Sequence, residues 1–170
     1  MHKINNDTPA IYQASSQTQI DLQIATQTAL QLLLAELHRR NCHATVAPFT
    51  APDLVKDYLT LSLALEDREH FQVLFLNNQH QLLLDDRLFS GTIDGASVYP
   101  REVVKQALHC NAAAVIVAHN HPSGVCVPSE ADKSITAKLK QALATVDIRL
   151  LDHIIVGHMD TYSFAEHGVL

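Results

Sequence analysis

No stretch of the 170 residues approaches the roughly 20 consecutive apolar residues that a helix needs to cross a bilayer. The opening residues, MHKINNDTPAIYQASSQ, contain no apolar core of the kind that directs export, so no membrane partner and a cytoplasmic location are expected. Cysteine is scarce. Cys42, Cys110 and Cys126 are odd in number, share no spacing and form no C-x-x-C pair, which fits reduced thiols rather than a disulfide framework. Positive charge is also short, because 12 Lys and Arg stand against 18 Asp and Glu, for a net charge of -6. A broad grip on a phosphate backbone needs a basic face, so nucleic acid is not favoured as a partner, although a local basic patch stays open. Repeats and low-complexity tracts are absent.

What remains is ordinary globular material. Apolar residues make up 47% and charged residues 18%, enough for one domain with a real core. Eleven histidines are many for this length. Most are scattered (His2, His38, His43, His80, His109, His158, His167) and read as solvated surface or core edge.

Residues 1 to about 16 are polar. From Gln17 to Arg40 the spacing predicts an amphipathic helix, with Leu30, Leu33, Leu34 and Leu37 on one face and Gln23, Gln27 and Gln31 on the other. His38, Arg39 and Arg40 end it, placing positive charge at the negative pole of the helix dipole. Such a helix must pack on the main body or on another subunit. A second helix is expected from Ala51-Pro52-Asp53 to about Leu65, with proline in its first turn. HFQVLFLNN and HQLLLDDRLFSG read as two strands around the turn Asn77-Asn78-Gln79. A loop over Gly91–Pro100 leads to the short helix PREVVKQALHC. NAAAVIVAHN is an unbroken apolar run, the mark of a strand covered on both faces. A helix from about Glu130 to Val146 and two closing strands, RLLDHIIVG and TYSFAEH, complete a layered α/β pattern from about residue 50 onward.

Residues 118–132, AHNHPSGVCVPSEAD, carry the chemistry. His119 and His121 sit just past the end of the buried strand, two apart, so their imidazoles share a side while Asn120 points away. That edge is where α/β folds usually build sites. Ser129 and Asp132 read first as a helix N-cap and its capping-box acid. The same rigid turn could also aim Asp132 at a cation held by the two histidines. Two neutral imidazoles and one carboxylate suit one Zn2+, with the fourth position left to water. Cys126 is the rival fourth ligand, within a segment that Val125 and Val127 mark as tight and apolar.

Counted from His119, the chain reads H-x-H, seven residues, S, two residues, D, which resembles the JAMM motif of the MPN+ metalloproteases. HNHPSG, followed by PS, D, DHIIVG and YSFAEHG and preceded by LFSGTIDGASVYPREVVKQAL, is similar more narrowly to the bacterial RadC family. The resemblance covers roughly residues 50–170. It implies a JAMM/MPN (cytidine-deaminase-like) fold of mixed sheet and flanking helices, with residues 1–49 as an N-terminal polar tail and helix. It departs from many JAMM proteases in placing Asn120, where they have serine or threonine, between the histidines. It also lacks the helix-hairpin-helix segment of longer RadC proteins, so it resembles their short forms.

From the resemblance, His119, His121 and Asp132 are implied metal ligands, and Glu69 is the implied catalytic acid and base. Glu66, Asp67 and Glu102 are its rivals by sequence alone. Ser129 is implied to hydrogen-bond the water or the developing oxyanion, in competition with its capping role. The expected function is a zinc hydrolase acting on a peptide or isopeptide bond of a peptide or protein substrate. A DNA-repair-associated module, suggested by the history of the RadC name, is the alternative, as is an interaction domain that keeps its metal for folding. A zinc deaminase is disfavoured because no P-C-x-x-C or H-x-E segment is present. His153 reads as a satisfied core or edge residue. Asp152 reads as a candidate to orient it, or to orient one of the zinc histidines from behind. Lys133 and Lys140 read as a solvated face.

Overall fold

The computed structural model describes Phe49, residues 51–91, 98–158 and 160–170, and individual residues between Thr18 and Leu32. Those individual residues are helical, and Ile20, Leu22, Ile24 and Leu32 among them are exposed. The apolar face expected at Leu30, Leu33, Leu34 and Leu37 lies outside the described residues, as does the expected helix end. Among the described residues no helix is long and apolar enough to cross a membrane.

The main body is a five-stranded mixed sheet between helices. α1 (Pro52–Leu63), β1 (His70–Leu76), β2 (Leu82–Ser90), α2 (Pro100–His109), β3 (Ala114–Asn120), α3 (Glu130–Ala144), β4 (Arg149–Val156) and β5 (Thr161–Ser163) follow in chain order. The sheet order is β2-β1-β3-β4-β5. β3 and β4 run parallel with α3 as their crossover, and every other pairing is antiparallel. The expected elements are therefore present. α1 and α3 stop two residues short of their expected ends, and TYSFAEH is a strand only over Thr161–Ser163.

Strand periodicity sorts the core into two layers. α1 buries Val55, Tyr58, Leu59 and Leu63, at helical spacing, against Leu74, Leu76, Ile116, Ala118, Ile154 and Val156 on one face of the sheet. On the other face, α2 and α3 place Val103, Ala107, Leu139 and Leu143 against Phe71, Val73, Phe75, Val115 and Val117. β3, covered on both faces, is buried along its whole length.

One irregularity decides what faces the second layer. Val115 pairs with Leu150 but Ile116 pairs with Asp152, so Leu151 is an extra residue in β4. Such a bulge puts two successive side chains on one side and shifts the alternation beyond it. Leu150 packs in the second layer and Leu151 in the first. After the bulge it is His153, not Asp152, that lies on the side of His119.

A polar network fastens α1 to the sheet edge. The Tyr58 hydroxyl donates to Asp85. Gln72 Nε2 donates to Asp85 Oδ1 at 2.6 Å, and Ser62 Oγ donates to Gln72 Oε1 at 3.0 Å. Arg87 closes it, donating to the Ser62 carbonyl at 2.7 Å and to Glu66 Oε1 at 2.6 Å. Burial pushes the Asp85 carboxyl above its usual range, outweighing the hydrogen bonds from Tyr58 and Gln72.

At the end of β3, Asn120 faces the α1 side and is 2% exposed. Its Oδ1 accepts from the His70 backbone N–H at 2.8 Å, and its Nδ2 donates to the carbonyls of Arg68 at 2.9 Å and Glu66 at 3.3 Å. One amide thus fixes the segment that leads into β1 and carries Glu69.

Asn120→Ala would leave one backbone donor and two acceptors without this partner. It should lower unfolding free energy by about 1–3 kcal/mol, measured by denaturant titration. A second outcome concerns acid. Because the Asp85 pKa is raised on folding, the folded chain binds this proton more readily than the unfolded chain. Wild type should therefore gain stability relative to Asp85→Asn as pH falls from the raised value toward the unfolded one, about 3.9. Unfolding curves of both chains across that interval would show the opposite trend if Asp85 were stabilised in its charged form.

Candidate metal centre

His119 and His121 come from the last turn of the ladder and the residue just beyond it. His119 is held in β3 opposite Phe71 of β1, and its ring lies nearly parallel to that of Phe71, 11° apart with centroids at 6.2 Å. The His121 backbone N–H donates to the Val156 carbonyl at 2.9 Å, extending the β3–β4 edge by one residue. The chain then turns at Gly124, whose φ of +80° is a conformation that a side chain disfavours. Gly157 lies so close beneath this loop that a Cβ there would meet the Gly124 carbonyl oxygen at 2.4 Å and Cys126 Sγ at 2.6 Å.

Asp132 arrives from the first turn of α3. Ser129 is the N-cap, and the capping box is complete. Ser129 Oγ accepts from the Asp132 N–H at 3.1 Å, while Asp132 Oδ2 accepts from the Ser129 N–H at 2.7 Å and from its hydroxyl at 2.6 Å. The histidines face both carboxylate oxygens. Oδ1 is 3.2 Å from His119 Nε2, and Oδ2 is 3.7 Å from His121 Nε2. The two Nε2 atoms are 3.0 Å apart. Burial pushes the Asp132 carboxyl up, but the adjoining His119 ring and the hydrogen bonds from Ser129 hold it well below the usual carboxylate range. The same turn thus carries the capping box and turns the carboxylate toward both imidazoles, with Oδ2 shared between the cap and the side of His121.

These atoms fit a cation. Ligand atoms of His119, His121 and Asp132 lie within 4.8 Å of one another. His121 Nδ1 is 2.6 Å from the Val125 carbonyl, which can only accept. The proton of a neutral His121 is therefore on Nδ1, and its Nε2 lone pair faces the cluster. Two imidazole nitrogens and a carboxylate oxygen are a donor set that binds divalent metals. No lysine or arginine among the described residues pairs with Asp132, so its partners are the imidazoles and the cap.

The cluster opens into a pocket of about 270 Å³, which Glu69, Phe71 and Ser129 also line. Glu69 is half-buried, and its backbone carbonyl accepts from the Gly91 N–H at 2.7 Å. Its rivals lie elsewhere. Glu66 is committed to Arg87 at 2.6 Å and to His70 at 3.5 Å. Asp67 is exposed and lines a different pocket, with Leu22, Leu65 and Pro122. Glu102 pairs along α2 with Arg101 and Lys105. Cys126 does not join the cluster, since its thiol donates to the Asp160 carbonyl at 2.9 Å, and burial raises its pKa. Lys133 pairs with Glu130, and Lys140 is exposed.

One contact behind the cluster is absent from the sequence reading, that of His153 with His119. His153 is fully buried, and its Nε2 is 2.8 Å from His119 Nδ1. Its Nδ1 is 2.6 Å from Thr136 Oγ1. Burial lowers its pKa well below the ordinary histidine value. His153 is the satisfied core residue expected, but what satisfies it is a candidate ligand. Asp152, expected to orient one of these histidines, points away from them. Its carboxylate accepts from the backbone N–H groups of His153 and Ala165 and from the Ser163 hydroxyl, tying β4 to β5. The bulge at Leu151 is the reason, and nothing in the sequence announces it.

Comparison with known proteins shows the chain's family. Residues 49–169 match the RadC-like JAB domain family. The chain is 55% identical to the UPF0758 protein YkfG of Escherichia coli (strain K12) over 131 residues, which are 77% of this chain and 83% of that relative. It is 54% identical to the UPF0758 protein YfjY of the same strain, also over 131 residues, 77% of this chain and 82% of YfjY. A UPF0758 protein of Cellvibrio japonicus (strain Ueda107) is 56% identical over 144 residues, 83% of this chain but only 64% of that longer relative. With a match across nearly all of the described domain, this chain belongs to the RadC-like JAB domain family.

Proposed function

We propose that the chain is a metal-dependent hydrolase of the JAMM type, with zinc as its metal and a peptide or isopeptide amide bond as its substrate. The observation that carries this reading is the convergence of His119 Nε2, His121 Nε2 and Asp132 Oδ1 in a pocket that Glu69 also lines. Three protein ligands leave a tetrahedral ion one position for water, as in catalytic rather than structural zinc sites. Zinc held there would lower the pKa of a bound water toward about 7 and polarise a substrate carbonyl.

Glu69 is the proton carrier in this reading. Its carboxylate takes a proton from the attacking water and later gives it to the departing amine nitrogen, so the amine leaves without negative charge. Ser129 supplies a hydroxyl proton to the carbonyl oxygen as negative charge develops there. To do so it must release Asp132 Oδ2, which keeps its second hydrogen bond, from the Ser129 backbone N–H. The aim of the carboxylate therefore survives the switch. Phe71 lines the pocket and lies along the face of His119, holding the imidazole plane and excluding water from that side.

His121→Ala should lose zinc and hydrolysis together, read by metal analysis per chain and by turnover of an isopeptide-linked fluorogenic substrate. A full zinc equivalent in that variant would remove the ligand assignment. Glu69→Gln should keep its zinc while kcat falls by roughly 10²–10⁴-fold. Unchanged turnover there would move the proton carrier to another residue.

A further inference from the structure

We propose that His153, backed by Thr136, is a positioning residue that holds His119 in the one tautomer able to ligate a metal. This rests on the metal-centre reading above and deepens it, because it assigns the acceptor that sets the direction of a ligand's lone pair.

A buried chain of hydrogen bonds fixes each proton in turn. Thr136 Oγ1 is 2.6 Å from the Asp132 carbonyl oxygen and 2.6 Å from His153 Nδ1. A carbonyl oxygen only accepts, so the hydroxyl proton goes to Asp132. Thr136 Oγ1 then has lone pairs to offer, and His153 Nδ1 must be the donor. His153 has no exposed surface. It stacks on Phe164, with centroids 4.8 Å apart at 16°, and meets the edge of Phe71 at 5.7 Å. In this aromatic enclosure neither ring nitrogen meets a carboxylate, and the neutral ring with one proton is the form that fits.

With that proton on Nδ1, His153 Nε2 is a bare acceptor 2.8 Å from His119 Nδ1. His119 Nδ1–H donates to it. A neutral His119 has no second proton, so its Nε2 is a lone pair directed at Asp132 Oδ1 and His121 Nε2, at 3.2 and 3.0 Å. His121 reaches the same state through the Val125 carbonyl. The ligand nitrogens are thus set by two separate acceptors, one a backbone carbonyl and the other a neutral imidazole. Partners of this kind commonly orient metal-bound histidines, and losing one typically costs 10–100-fold in metal affinity.

Two measurements on the full chain test this. In long-range ¹H–¹⁵N correlation spectra, His153 should carry its proton on Nδ1 and leave Nε2 bare, in both zinc-loaded and metal-free protein. A His153 protonated on Nε2 would overturn the proposal. Zinc affinity, read by competition with a chromophoric chelator, should weaken roughly 10–100-fold in His153→Leu. It should recover most of that loss in His153→Gln, whose Oε1 can accept from His119. A His153→Leu chain that binds zinc as tightly as wild type would also overturn it. Should that variant fail to fold, Thr136→Val must weaken zinc binding in the same direction, and unchanged affinity there counts against the relay. A wild-type chain that takes up no zinc defeats the metal-centre reading instead, while the His153 tautomer in the metal-free protein still decides the proposal.

Discussion

At the carboxyl end of β3, consecutive residues face opposite sides of a sheet that is covered on both. His119 turns to the α2–α3 layer and Asn120 to the α1 layer, and the pleat of the strand allows no other division. Everything at the site inherits this. The imidazole meets Asp132 from α3 and His153 from β4, while the amide seizes the backbone that carries Glu69 into β1. A slip of one residue in β3 would exchange these duties and leave neither performed.

The cluster itself is an electrostatic conflict in the protein alone. The Nε2 lone pair of His121 and the carboxylate of Asp132 are turned toward the same small volume as His119 Nε2, within 3.7 Å. Buried polar atoms of like sign are tolerated where a proton or a cation lies between them. The surrounding bonds prevent escape. Ser129 anchors the carboxylate, Val125 anchors one ring, and the β3–β4 ladder anchors the backbone of both histidines. Rigidity of this kind costs conformational entropy, a cost that a bound cation would offset.

Much of this was legible in the sequence because it depends on local spacing. The buried strand at 114–120, the Pro-Gly turn and the S-E-A-D helix start each follow from residues within a few positions of one another, and together they bring His119, His121 and Asp132 to one place. Glu69 stands out in the sequence only through family resemblance, since Glu66 and Asp67 are as acidic and as near. In the structure Glu69 lines the pocket, while Arg87 on the neighbouring strand β2 engages Glu66. Asp152 was the failure, because it engages the His153 backbone and not a histidine ring, whereas His153 is the satisfied core residue that the sequence suggests. Alternation counted along LLDHIIV favours Asp152 as the inward partner, and a single extra residue in β4 reverses it. Bulges arise from how two strands fit together, and one strand's sequence does not record that.

The loop between His121 and Ser129 is seated by close contact, with Gly157 pressed against the Gly124 carbonyl and the Cys126 thiol. Its outward residues take no part in this. Val125 and Val127 are 56% and 71% exposed. Because the seat is made by these inner groups, the exposed side chains of the rim can change in size or polarity without disturbing the floor on which the imidazoles stand. The lip can therefore change its shape while the geometry of the inner cluster stays constant.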